Sequence, residues 1–343
     1  ASANVANGIA VTADLSGLTL SNTNYFIDGV TSALSANITA APVTISIVKD
    51  YNGSTAVANN QITVAGVAGQ TLVLTAGTAT LTNPNVGSAA LLSLNGASLG
   101  NGTGVATNYT LTNPNSTVTI NRAAISITAS DAVKVYDTTT DVTGATTAPA
   151  ATLYSGTLYT NSATGYADTL SGGSFTYANP NASSGNKVLN VSGVSILNDS
   201  SSAANNYTIT YVANTTSSIT AAPVTISGLS ASNKVYDTNR VAALSGTATA
   251  AGVLSGDTVN VSGTANAGTF ASPNVANGIA VTADLSGLTL SNSNYFIDGV
   301  TSALSANITA APITISGLSA SNNVYDTNRV AALSGTATAA GVL

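Results

Sequence analysis

The chain has 343 residues, a formal net charge of −6 and only 6% charged side chains, against roughly 25% in ordinary globular domains. All 13 acidic residues are Asp, and Glu, His, Cys, Met and Trp are absent. That alphabet excludes Ser-His-Asp and Cys-His nucleophiles, His/Cys zinc sites and disulfides, and seven scattered basic residues form no patch for nucleic acid.

Hydrophobic residues reach 44% and are spread evenly, which is too apolar for a disordered chain. β-branched and turn residues dominate over good helix formers, so the expectation is an all-β chain of many short strands. No apolar run approaches 18 residues, so no membrane insertion is expected in this segment. Residue 1 opens inside a repeat without a basic and apolar leader, so a secretion signal is expected outside this sequence.

In chain order, residues 1–42 read as the C-terminal part of a repeat, with Asn24-Tyr25 followed by Asn37-Ile38-Thr39-Ala40-Ala41-Pro42. A first whole module follows at 43–124. It opens on Lys49-Asp50-Tyr51-Asn52-Gly53, where Asn-Gly favours a type I′ turn, and closes on Asn108-Tyr109 and Ile120. Alternating Thr in 71–83 reads as a solvated strand face. The second module, 125–223, carries Lys134-Val135-Tyr136-Asp137 near its start and Asn206-Tyr207 and Ile219 near its end.

The third module, 224–312, repeats Lys234-Val235-Tyr236-Asp237 and ends on Asn294-Tyr295 and Ile308. Val224 and Ile226 share one face of its first strand. Ile279, Val281, Ala283 and Leu285 alternate against Thr282, Asp284 and Ser286. Leu288 and Leu290 then take the other phase, so a bulge or a strand break is expected around Gly287. Residues 313–343 are the N-terminal part of a further repeat, with Asn323-Val324-Tyr325-Asp326.

The repetition is close. Residues 4–46 and 274–316 differ at two of 43 positions, and 223–254 and 312–343 at two of 32. Ile38, Ile120, Ile219 and Ile308 are spaced by 82, 99 and 89 residues, long enough for each module to enclose its own core rather than form a solenoid coil. Six or seven strands per module fit an Ig-like β-sandwich. A β-grasp-like α+β module is the alternative, because Ala and Leu in 241–254 suit a helical turn.

Each Lys-Val-Tyr-Asp reads as a short strand ending in a turn. The carboxylate of Asp137, Asp237 or Asp326 bonds a backbone N–H two residues on. Tyr136, Tyr236 and Tyr325 supply an apolar body with a hydroxyl able to reach a partner near the module's end. Tyr25, Tyr109, Tyr207 and Tyr295 complete the repeat signature.

These residues, with Leu254-Ser255-Gly256-Asp257 and the closing Ile-Thr-Ala-Ala-Pro, resemble the YDG/MBG-type repeats of giant bacterial surface proteins, the filamentous-haemagglutinin-like adhesins and related exoproteins. The family's Gly after Tyr-Asp is Thr138, Thr238 or Thr327 here, which leaves the turn type open. The resemblance implies an extracellular, cell-surface segment of an adhesin and brings no catalytic residue with it.

No cofactor is expected, and calcium held between modules by Asp14, Asp28, Asp257, Asp284 or Asp298 is the one metal reading. A Lys at a fixed position suggests an isopeptide bond to Asn, although Asn323 in that position argues against a requirement. Three functions follow: a structural stalk whose partners are neighbouring repeats of the same chain, a self-associating filament or biofilm matrix protein, and a module that binds glycan or host protein. The stalk is the favoured reading, because length is what repetition of near-identical units supplies; sparse charge on strand edges makes self-association credible, and sparse aromatics disfavour the third.

Overall fold

A computed structural model describes residues 3–343. It is all-β: among the described residues the only helices are 3-10 turns of three residues. The stretch 241–254 contains no helical turn but the strands Val241–Ala242 and Leu244–Ala251. Gly246 there has φ +102°, and a Cβ on it would meet the Gly228 carbonyl oxygen at 2.1 Å. Cross-strand pairing with Ala222–Ala231 thus overrides the helix propensity of Ala and Leu.

Two compact units are built from interleaved segments. The first takes everything described up to Ser130, then Pro149–Thr176 and Asn190–Asn214; the second takes Asp131–Ala148, Tyr177–Leu189 and Thr215–Leu343.

In the first unit the strand Ala41–Asp50 buries Val43, Ile45, Ile47 and Lys49 on one face. It runs antiparallel to Ile62–Ala65 and parallel to Tyr109–Asn121, with Ala41 opposite Tyr109 and Lys49 opposite Ile120. Thr71–Leu81 extends this sheet and pairs with Leu91–Asn101. Its threonines are partly committed: Thr75 and Thr80 share hydrogen bonds with Ser98 and Ser93. A second sheet sets Ala123–Ala129 between Ala151–Ser155 and Tyr207–Tyr211, the latter parallel with Ala123 opposite Tyr207. Asp168–Ser171 pairs with Ser195–Asn198 in a third.

In the second unit Ala222–Ala231 pairs antiparallel with Leu244–Ala251 and parallel with Tyr295–Val300, Ala222 lying opposite Tyr295. A five-stranded sheet runs Lys234–Val235, Leu304–Thr309, Ala276–Asp284, Asn266–Phe270, Val241–Ala242. Its inner face buries Ala242, Phe270, Ile279, Val281, Ala306 and Ile308 against Ala231 and Leu244 of the first sheet, which makes a two-layer core. Each such fully buried large side chain contributes about 1.5–3 kcal/mol.

The phase change near Gly287 is a strand break: Ala276–Asp284 ends, Leu288 N donates to Leu285 O, and Leu288–Leu290 pairs elsewhere. Residues 41–121 hold six strands, as expected. Residues 123–220 and 222–309 hold ten each, more than expected, many of two to four residues.

Candidate functional site

The Lys-Val-Tyr-Asp stretch builds a clamped turn. Val133–Val135 runs parallel to Asn214–Thr220 with Lys134 opposite Ile219, which places the Lys134 side chain inward. Its Nζ donates to Asp137 Oδ1 (2.6 Å), Thr139 O (2.9 Å), Thr139 Oγ1 (3.0 Å) and Asp141 O (2.8 Å). Thr139 N in turn donates to Asp137 Oδ1 at 2.9 Å, the expected side-chain turn.

Lys234 repeats the arrangement on Asp237 (2.6 Å) and on Asn239 O and Oδ1 (2.9 and 2.8 Å). That contact holds the Asp237 carboxyl below the usual range. Lys49 lacks a carboxylate partner in its turn and donates to the carbonyls of Ser54 (2.7 Å) and Ala56 (3.0 Å). Burial lowers its pKa. At the fourth copy Asn323 Nδ2 reaches Asp326 Oδ2 at 3.0 Å, and Asn328 N donates to Asp326 Oδ1 at 3.1 Å.

The residue after Asx has the same conformation in all four: Gly53 φ +71°, Thr138 φ +71°, Thr238 φ +68° and Thr327 φ +67°. Threonine therefore occupies the left-handed position of the glycine without changing the turn. The lysines act as turn clamps: Lys134 Nζ meets the Asp137 carboxylate, and Lys234 Nζ meets both the Asp237 carboxylate and, as a hydrogen-bond donor, the Asn239 amide oxygen.

Beyond the turn, tyrosines from distant segments converge on one carboxylate oxygen. Asp168 is buried, and its Oδ2 accepts from the hydroxyls of Tyr51 (2.8 Å) and Tyr207 (2.6 Å) while Oδ1 accepts from Asn198 Nδ2 (2.9 Å). The two rings meet edge to face, with centroids 5.3 Å apart. In the second unit Asp257 Oδ2 accepts from Tyr136 (2.8 Å) and Tyr295 (2.7 Å), whose rings again meet edge to face at 5.5 Å. Desolvation, then the hydrogen bond to Asp257, pushes the Tyr295 hydroxyl up to about 12. Burial followed by the bond to Asp168 also raises Tyr51, and burial and Asp168 likewise raise Tyr207.

An asparagine clasp accompanies each pair. Asn206, next to Tyr207, donates Nδ2 to Asn85 Oδ1 (3.0 Å) and accepts from Val86 N (2.9 Å). Asn294, next to Tyr295, donates to Asn181 Oδ1 (3.2 Å) and accepts from Ala182 N (2.7 Å). Asn108, next to Tyr109, does the same with Asn4 (2.9 Å) and Val5 N (2.9 Å). There the tyrosine meets an amide: Tyr109 OH donates to Gln70 Oε1 at 2.6 Å.

Of the residues singled out in the sequence, Tyr136, Tyr295 and Asp257 come together, and Tyr207 joins Tyr51 on Asp168. Tyr109 meets Gln70. Tyr236 packs against the five-stranded sheet's core, whereas Tyr25 and Tyr325 are exposed.

The calcium candidates are not assembled. Asp14 and Asp284 each accept from a serine N–H two residues on (3.0 Å), Asp28 and Asp298 are exposed, and Asp257 is engaged by two phenols. Among the described residues no three acidic side chains gather as a metal site.

Asp168, Gln70 and the asparagines Asn4, Asn85 and Asn181 lie outside the repeat signature. A signal existed: Val67-Ala68-Gly69-Gln70 matches Leu254-Ser255-Gly256-Asp257, and the N–H of Val67, like that of Leu254, donates to the local tyrosine hydroxyl (3.3 and 3.2 Å). The third such N–H belongs to Tyr159 (3.0 Å), but its carboxylate, Asp168, comes nine residues later rather than three, which hides the spacing.

Residues 35–118 and 220–303 each match the YDG domain family. No curated protein matches the chain. Among solved structures, the chain is similar to FdeC, described as a broadly conserved Escherichia coli adhesin, at 15% identity over 81% of this chain and 100% of that one. The TM-score is 0.20, a value at which the likeness does not extend to a shared fold.

Proposed function

We propose that the chain is a spacer segment of a bacterial cell-surface adhesin. In this reading residues 43–124, 125–223 and 224–312 are successive β modules, and residues 1–42 and 313–343 are parts of two more. The tyrosine pairs on Asp168 and Asp257, with their asparagine clasps, are the joints that hold each module to the next.

The carrying observation is the composition of each joint. Tyr51 and Asn85 lie in one sequence repeat, Asp168, Asn206 and Tyr207 in the following one; Tyr136 and Asn181 bear the same relation to Asp257, Asn294 and Tyr295. A flexible bead string has no use for such repeated geometry at its junctions. A spacer does, because length is transmitted only if the joints resist bending. The two YDG matches and the scarcity of charged side chains support the same placement on the cell surface.

Small-angle scattering on the whole chain tests this. The wild-type chain is expected to give a narrow distribution of maximum dimension, and Asp168→Ala with Asp257→Ala a broader one with unchanged circular dichroism. Equal flexibility in the two proteins would overturn the joint reading.

A further inference from the structure

The sequence repeat that closes on Ile219 is the longest of the three, 99 residues against 82 and 89. Its extra residues fall in two loops. Asp168 follows Tyr159 by nine positions, whereas Asp257 follows the equivalent Leu254 by three. Asn206 follows the strand end at Asn198 by eight, whereas Asn294 follows the strand end at Leu290 by four. Neither loop is needed to seat two tyrosines on a carboxylate, because Tyr136 and Tyr295 meet Asp257 without them.

The two loops face each other across a cavity of about 450 Å³, which Asn85, Val86 and Ser88 close on a third side. The first loop closes on itself, with Asn161 N donating to Tyr166 O (2.9 Å) and Gly165 N to Asn161 O (2.7 Å). The second is a two-residue hairpin in which Asp199 (φ +43°) and Ser200 (φ +67°) both take the left-handed conformation. Non-glycine residues held there store strain of the kind found at functional sites.

Buried amides tie the loops together. Asn198 Nδ2 donates to Tyr166 O (2.8 Å), and its Oδ1 accepts from Thr164 Oγ1 (2.8 Å). Asn85 Oδ1 accepts from Asn206 Nδ2 (3.0 Å) and from Asn161 Nδ2 (3.4 Å). Nearer solvent, a second set of polar groups is unengaged. Among the described residues the side chains of Asn205, Ser201 and Ser202 and the hydroxyl of Tyr166 make no hydrogen bond, and all four residues line the cavity. The floor is satisfied and held in place; the mouth offers free donors and acceptors.

This lining selects its ligand. It contains no Lys or Arg, so an anionic ligand finds no counter-charge. It is poor in apolar side chains, so a lipid gains little burial there. Amides and hydroxyls both donate and accept, which matches the hydroxyls of a sugar. The Tyr166 ring is half exposed and presents an apolar face to a sugar's C–H groups. We infer that the cavity between the two loops is a binding site for a neutral mono- or disaccharide, whose volume it suits. The inference is independent of the spacer reading, since stiff and flexible arrays would carry such a site equally.

Saturation-transfer NMR on the 343-residue chain tests this. The probes are glucose, galactose, mannose, N-acetylglucosamine and N-acetylgalactosamine, with glucuronic acid as the anionic counterpart. At least one neutral sugar is expected to receive saturation in a saturable manner, and glucuronic acid none. Tyr166→Ala with Asn205→Ala should weaken that binding by about tenfold or more. Both side chains are exposed, so circular dichroism and melting temperature should hold. Ser202→Trp, which obstructs the mouth, should abolish binding.

No transfer to any of the neutral sugars would overturn the inference. Variants that bind as wild type would do so too, by putting the sugar elsewhere, as would glucuronic acid binding as well as glucose. None of these results bears on the joints at Asp168 and Asp257, which the scattering experiment reads separately.

Discussion

The hydroxyl of Tyr51 donates to Oδ2 of Asp168 across 117 residues of sequence, at 2.8 Å. Both groups are buried, and the same oxygen also takes the hydroxyl of Tyr207. Among the described residues no cationic side chain is paired with this carboxyl group in an ion pair, so hydroxyl and amide donors hold it, and such donors bond an ionised acceptor more strongly than a neutral one.

Removing one donor leaves the carboxylate under-solvated in a closed site. Tyr51→Phe and Tyr207→Phe are each expected to lower stability by about 1–3 kcal/mol. Asp168→Ala strands both hydroxyls and should cost at least as much. A double-mutant cycle of Tyr51→Phe and Asp168→Ala by urea denaturation should return a coupling energy of about 1 kcal/mol or more. Additive effects would show that the hydrogen bond is not what joins these segments.

Alkaline pH should loosen the same joints. The tyrosine hydroxyls raised by burial and by a neighbouring carboxylate stay protonated in the folded chain at pH values where an unfolded tyrosine, near 10, ionises. The folded state then binds more protons than the unfolded one, so stability is fully present below about pH 10 and falls as pH rises from there. For Tyr295 the loss extends to about pH 12. Melting temperatures measured from pH 8 to 11 should drop above pH 10 in wild type and less steeply in a Tyr136→Phe/Tyr295→Phe variant.

The clamped turns respond differently to truncation of their lysines. Lys134 is 1% exposed and bonds a carboxylate, two carbonyls and a hydroxyl. Lys134→Met should destabilise by about 2 kcal/mol, in the range of hydrogen bonds to charged groups. Lys234→Met should cost clearly less, since that side chain is 17% exposed and water replaces part of what it loses. Equal melting-temperature losses for the two variants would contradict this ranking.

At the left-handed turn position, threonine and glycine should not be interchangeable in the same way everywhere. Thr138 and Thr238 sit at φ near +70°, a conformation that costs an L-residue about 1–2 kcal/mol and glycine nothing sterically. Thr138→Gly and Thr238→Gly are therefore expected to leave stability unchanged or raise it by up to about 1 kcal/mol, the gain offset by the freer unfolded chain. Gly53→Ala should do the reverse, because its Cβ would also meet the Thr160 carbonyl oxygen at 2.2 Å. Thermal melts of the three variants decide the matter.

Local pattern determined the β class, the repeats and the turns. Alternation in 279–286 put Ile279 and Val281 inside because successive strand side chains point to opposite faces. The Asp137 and Asp237 turns were legible because an Asx carboxylate reaches only two residues along the chain. The helical turn offered for 241–254 failed because propensity there is weaker than pairing with a strand some 20 residues away.

What the tertiary structure alone decided is which strand lies beside which, and what meets at the joints. Parallel pairing of Ala41 with Tyr109, Ala123 with Tyr207 and Ala222 with Tyr295 leaves no trace in a period of two, which reports a face and not a neighbour. Likewise Tyr51 and Asp168 share no spacing that sequence could expose. Their bond exists because each of two separate segments presents one polar tip to the same water-excluded place, and a buried polar group must find its partner wherever folding brings one.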